Sequence, residues 1–141
     1  MKSKSLAVLS VVLLIAAIVF ACLWIHERND RSDWKQTAQI EAGAAYDSFV
    51  EFQTHAHESS YRQAAASFYA FKQAYYRYTE DADKSYHFDV SNELYGFMVI
   101  SPEKCQAHIA EITDIVKLLA ENVDDENAYL LMASLSAVMS E

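Results

Sequence analysis

The feature that most constrains this sequence is a run without charged residues close to its start. Residues 5–25 are mainly Leu, Val, Ile and Ala, with no acidic or basic side chain among them. As an α-helix, these 21 residues would be roughly 32 Å long, close to the thickness of a hydrocarbon core. Trp24 stands near the end, where indole rings favour the membrane interface. We therefore expect residues 5–25 to form a transmembrane signal-anchor helix.

The residues on either side of this run bear on its orientation. Lys2 and Lys4 precede it, and its position favours a cytoplasmic N-terminus, residues 1–4, as in a signal anchor. The positive-inside rule compares the Lys and Arg residues on the two sides of a span. The predicted orientation is therefore weakened by Arg28, Arg31 and Lys35, which follow the run. The expected order is thus a juxtamembrane segment, residues 26–32, and then an extracytoplasmic domain, residues 33–141.

Two alternatives compete with an uncleaved anchor. A cleaved signal peptide would require an Ala-x-Ala-like site followed by polar residues, and residues 20–30 lack one. A bacterial lipoprotein would place its lipid on Cys22, since residues 19–22 resemble a lipobox. Phe20 departs from the small residue usual there, and residues 23–25 are apolar where lipoproteins turn polar. The simpler interpretation of Cys22 is a small apolar residue inside the span.

The rest of the chain is acidic and has few turn-forming residues. All 20 acidic residues follow the apolar run, against nine of the 11 basic ones, a net charge of −11 there. Nucleic-acid binding requires clustered Lys and Arg, so this balance argues against it. It also argues against a domain lying flat on anionic lipid. Two glycines and one proline in the whole chain favour an all-α fold.

Hydrophobic periodicity predicts five helices after the anchor. The fourth has the clearest start, because Ser101, Pro102 and Glu103 supply a cap, a first-turn proline and an acid. Asp124 or Asp125 is expected to cap the fifth. Gly96 is expected to mark a close helix crossing. Short loops then favour a compact antiparallel bundle of about five helices. The first four predicted ranges are residues 32–54, 60–78, 88–100 and 102–121.

Two histidine-containing sets are candidate metal ligands. Glu51, His55 and Glu58 have the spacing i, i+4, i+7 and would share one face of an unbroken helix. His108 and Glu111, at i, i+3, are the candidate ligands from a second helix. A solvated helix end rich in polar residues explains the same pattern more simply. We therefore expect neither a metal nor a cofactor.

The helix at residues 60–78 is rich in aromatic residues. Most of these aromatic residues repeat at the spacing of one buried helix face. The tyrosines among them are expected to keep their hydroxyl groups at the surface. Tyr69 and Tyr76 lie off that stripe. They are candidates for a ligand-binding or partner-binding surface, because a gap between helices commonly holds a ligand.

The recognisable catalytic signatures are absent from this sequence. With two glycines there is no phosphate-binding loop, and neither Gly-x-Ser-x-Gly nor His-Glu-x-x-His occurs. Cys105, the one cysteine outside the apolar run, is expected to be buried. The sequence therefore favours a non-enzymatic, membrane-anchored helical interaction module of the cell envelope, with a protein partner or self-association. The alternative is a ligand- or metal-binding sensor domain using residues 60–78 or Glu51 and His55.

Overall fold

The structure, a computed structural model, describes residues 2–80 and 84–141, and the side chains of residues 12–80 and 84–141. It confirms the all-helical class, since the described residues contain helices and no strand. Contacts divide the chain into two units, residues 1–33 and 34–141. The helices are α1 (Lys2–His55), α2 (Glu58–Tyr78), α3 (Ser85–Ile100), α4 (Pro102–Ala107), α5 (Ile109–Glu121) and α6 (Glu126–Ser140).

The first unit is the N-terminal part of α1. Its described side chains from Val12 to Ile25 are exposed, and this stretch is long and apolar enough to cross a membrane. Arg28 lies over the Trp24 ring, with its guanidinium carbon 5.6 Å from the ring centroid. Arg31 pairs with Glu27 at 3.0 Å, one helical turn away. Cys22 is exposed within the apolar stretch.

The second unit is built on a core to which all six helices contribute. Helix α1 buries one face there, and three of the buried residues on it are alanines, which let neighbouring helices approach closely. The aromatic stripe of α2 packs beside it, with the rings of Phe49 and Tyr61 at 6.3 Å. The buried α1 residues are Ala38, Ala42, Ala45 and Phe49.

Ring contacts and hydrogen bonds give the order of the helices in this unit. Helices α2 and α3 run antiparallel, since the end of α2 meets the start of α3 through Tyr76 and Phe88, whereas Tyr61 near the start of α2 hydrogen-bonds Met98 near the end of α3. Helices α3 and α6 begin at the same end of the unit, where the His87 ring stacks on Tyr129.

Two helices begin two and three residues earlier than predicted. Helix α2 begins at Glu58 instead of residue 60, and α3 begins at Ser85 instead of residue 88. The predicted helix 102–121 is two helices separated at His108. The N–H of His108 bonds the carbonyl of Cys105, a tighter i→i−3 closure that ends α4. Cys105 and Ile112 on either side are both fully buried, so core packing accommodates this bend.

The predicted caps are confirmed in part. Pro102 occupies the first turn of α4 as expected, but the Ser101 side chain makes no capping bond. Asp125, not Asp124, caps α6, because its carboxylate accepts the N–H of Ala128 at 3.0 Å. The N-cap residue of α2 is His57, whose side chain makes no capping bond.

Gly96 does not mark a close helix crossing. A Cβ atom added there would meet nothing within 4 Å. The glycine lies on the outer side of α3, next to Ile100, which is exposed. The prediction failed because a helical glycine is compatible with close approach but does not require it.

Candidate protein-binding surface

The residues Glu51, His55 and Glu58 do not lie on one continuous helix. Helix α1 ends at His55, and Ala56 adopts a left-handed backbone with φ of 53°. Glu58 then begins α2 in a new direction, and all three side chains are exposed. The unbroken helix that this candidate metal site requires is therefore not formed.

His108, the fourth candidate ligand, sits between α4 and α5. Its Nδ1 atom lies 3.5 Å from the Glu111 carboxylate, so the expected i, i+3 pair is in contact. In the part of the chain that the structure describes, no three His, Cys, Asp or Glu side chains are grouped so as to hold a metal ion.

Tyr69 and Tyr76 line the seam between α2 and α3. The Tyr69 ring lies 5.2 Å from that of Tyr95, and the Tyr76 ring lies 4.8 Å from that of Phe88. Both tyrosines are 44% exposed. They therefore form a half-exposed aromatic surface and also cover one side of the α2–α3 contact.

The side chain of Lys72 fills the space inside this aromatic seam. Its ammonium lies 4.9 Å from the Tyr95 ring, 5.1 Å from Tyr69 and 5.6 Å from Phe88, and it hydrogen-bonds Asn92. Burial lowers the pKa of Lys72, while the ring faces attract its charge. The chain's own cation thus lies among the rings of Tyr69, Phe88 and Tyr95.

A buried polar network that the sequence did not predict links α2, α3 and α6. The Tyr75 hydroxyl lies 2.8 Å from His87 Nδ1 and 3.3 Å from Asp124 Oδ1. His87 Nε2 lies 2.9 Å from the Glu126 carboxylate. The His87 ring is parallel to that of Tyr129, with centroids 3.9 Å apart. A buried histidine is thereby bonded at both ring nitrogens.

Asp124 is one of the two carboxylates that take part in this network. It accepts a hydrogen bond from Lys35 at 2.7 Å and another from Tyr78 at 2.9 Å, and Lys84 lies 3.6 Å away. Burial opposes its charge, yet these donors together hold the pKa of Asp124 below its usual value. The same contact raises the pKa of Lys35.

The tyrosine hydroxyls of this network act as hydrogen-bond donors. Burial raises the pKa values of Tyr75 and Tyr129 well above that of free tyrosine, so both hydroxyls stay protonated at neutral pH. Tyr129 donates to the carbonyl of Val123 at 2.7 Å. These bonds fix the loop that joins α5 to α6 against α2 and α3.

One groove with exposed apolar side chains along it lies between α5 and α6. Its floor contains Ile115 and Leu135 of the core, and Leu131 and Val138 stand along it, 42% and 53% exposed. His108, Glu111 and Asp114 form the α5 side. This α5/α6 groove is open to solvent and has a volume of about 400 Å³.

One feature of the sequence indicates this groove, although helical periodicity alone does not reveal it. Residues 129–132 are four consecutive apolar residues at the start of α6. Successive side chains on a helix point about 100° apart, so one narrow core face cannot take all four. Tyr129 and Met132 are buried, whereas Leu130 and Leu131 are exposed. An unbroken apolar run on a short helix thus indicates a second apolar face.

Comparisons with protein-family models, with curated proteins and with solved structures find no match to this chain. Its function is accordingly inferred from its own residues.

Proposed function

We propose that this chain is a non-enzymatic, membrane-anchored helical module of the cell envelope that binds a protein partner. Residues 5–25 would cross the membrane, with residues 1–4 in the cytoplasm and the helical domain outside. The single observation that carries the partner-binding proposal is the α5/α6 groove, with Leu131 and Val138 exposed along it. Solvent-exposed apolar residues are ordinary when scattered, but grouped along one groove they mark interaction sites.

The surrounding charge favours a protein over the other large partners. A net charge of −11 after the apolar run repels nucleic acid and anionic lipid. A protein surface can instead match both the apolar groove and its acidic side.

The sensor alternative has less support. Lys72 occupies the aromatic seam, and the helix break at Ala56 separates His55 from Glu58. Its test is metal analysis of the purified full chain, with thermal shifts measured for divalent ions and small apolar ligands. Bound metal, or a shift of several degrees with one of them, would favour a sensor.

Site-specific photocrosslinking in intact cells tests partner binding. A photoreactive residue at Leu131 should give one discrete protein adduct, identified by mass spectrometry. The same residue at Ile40 is the matched control, since Ile40 is apolar and 61% exposed but lies on α1. Adding Val138→Gln should abolish the Leu131 adduct. Recovery of the uncrosslinked monomer alone, at both positions, would contradict the proposal.

The proposed orientation has a separate test that uses Cys105. A membrane-impermeant thiol reagent is applied to sealed cells under conditions that unfold the domain, with Cys22 replaced by serine. Cys105 should be labelled if residues 33–141 lie outside. Labelling only after the cells are lysed would reverse the proposed topology.

A further inference from the structure

The α5/α6 groove also indicates the chemistry of its occupant, an inference that rests on the proposed partner binding. On α6, Leu131, Leu135 and Val138 stand at i, i+4 and i+7. This row extends about 10 Å along the helix, or two turns. A partner helix with apolar residues at the same spacing would lay them along this row, in the common mode of helix-in-groove recognition.

The two sides of the groove differ in charge. Glu111 and Asp114 lie three residues apart on α5, and both are exposed. The α6 side contributes Leu131, Ser134 and Val138 and no charge. A helix lying in the groove would therefore have carboxylates along one edge of its apolar face and neutral residues along the other.

We infer that the α5/α6 groove binds an amphipathic helix of a second protein, with Lys or Arg beside its apolar face. Opposite charges at the rim of an interface steer association and select the partner. A second copy of this chain is a poorer occupant, because groove-to-groove contact would bring Glu111 and Asp114 against the same carboxylates of the other copy.

Three synthetic helical peptides with one shared apolar face test this inference. Lysine, glutamine or glutamate flanks that face, and binding to the full chain in neutral-lipid nanodiscs is followed by fluorescence anisotropy. The lysine peptide should bind about tenfold more tightly than the glutamate peptide at low salt. Its advantage should fall severalfold in 0.5 M NaCl, because salt screens exposed charges.

Two sets of variants separate the charge from the apolar contacts. Glu111→Gln with Asp114→Asn should weaken the lysine peptide about threefold and leave the glutamine peptide unchanged. Leu131→Gln with Val138→Gln should weaken both peptides. These side chains are exposed, so the fold should survive, and thermal unfolding checks that it does. Asp47→Asn and Ile40→Gln, both on exposed positions of α1, are the matched controls.

The outcomes distinguish this inference from the proposed function. Equal binding of the three peptides, with a persistent protein adduct at Leu131, would overturn the basic-helix inference and leave partner binding intact. A lipid adduct at Leu131, or an adduct with a second copy of the chain, would also overturn it. Absence of any adduct in cells would count against the proposed function, whatever the peptides do.

Discussion

Asp124 and Asp125 are identical neighbours that stabilise the domain in different ways. The sequence allowed either to cap α6, and the structure assigns that role to Asp125. Asp124 instead accepts hydrogen bonds from Lys35 of α1 and Tyr78 of α2. Capping is a local property that sequence can indicate, whereas the partners of Asp124 are 89 and 46 residues away.

Replacing Asp124 with asparagine should destabilise the domain at neutral pH. Removing a partly buried carboxylate that several donors share costs about 2 kcal/mol. The folded-state pKa of Asp124 is lowered, so its contribution is present above the unfolded value of about 4 and is lost as pH falls through the folded value. Urea unfolding should therefore separate variant and parent at pH 7 but much less at pH 3. Asp47→Asn, at an exposed position, is the control.

Cys105 should react with thiol reagents only when the domain opens. The thiol is fully buried, and burial raises its pKa to about 11. At pH 8 the thiolate would then be about 100-fold scarcer than in an exposed cysteine of pKa 9, before access is considered. With Cys22→Ser, colour development with an aromatic disulfide should be slow in buffer and fast in denaturant. Equal rates in the two conditions would place Cys105 at the surface.

At the scale of the elements, sequence predicted the helices better than their ends. The aromatic stripe of α2 is largely buried as predicted, because 3.6-residue periodicity directly reports a core face. The break at His108 was not predicted. Residues 105–109 contain neither glycine nor proline, and the bend is stabilised by packing around Cys105 and Ile112.

The two glycines are helix positions where alanine should be better. Gly43 and Gly96 lie inside α1 and α3, and a Cβ atom at either would contact nothing within 4 Å. Glycine costs about 0.5–1 kcal/mol relative to alanine in a helix interior. Gly96→Ala should therefore raise the free energy of unfolding by about that amount, as should Gly43→Ala, and their effects should add. A decrease measured by thermal unfolding would mean that a neighbour closes on the glycine.

At the scale of the whole molecule, the sequence predicted the helical class, the apolar N-terminal stretch and much of the core. It did not predict the polar network or the α5/α6 groove. The network depends on which helices become neighbours, and no single helix contains that information. The groove also depends on neighbouring helices, although the apolar run 129–132 indicates a second apolar face on α6. The tyrosines of α2 illustrate the difference. Their hydroxyls were expected at the surface, yet Tyr61 donates to the carbonyl of Met98 and Tyr75 lies against His87, both inside the core.

These buried groups make the domain sensitive to alkali. Burial raises the pKa values of Tyr61, Tyr75 and Tyr129 well above 10, and raises that of Cys105 to about 11. In the unfolded chain the tyrosines release protons near pH 10 and the cysteine near pH 9. A raised folded-state pKa contributes stability that is complete below the unfolded value and is lost as pH rises. The pKa of Lys72 is lowered, so this group changes stability in the opposite direction and offsets part of the loss at high pH.

The free energy of unfolding should therefore fall by several kcal/mol between pH 9 and pH 11, and change little from pH 7 to pH 8. Urea titrations of the full chain in detergent at each pH would measure it. Tyr61→Phe should make the decline shallower by roughly a quarter, because one of the four proton-releasing groups is gone. A stability profile that stays flat from pH 9 to pH 11 would mean that these hydroxyls ionise in the folded domain, and so reach water.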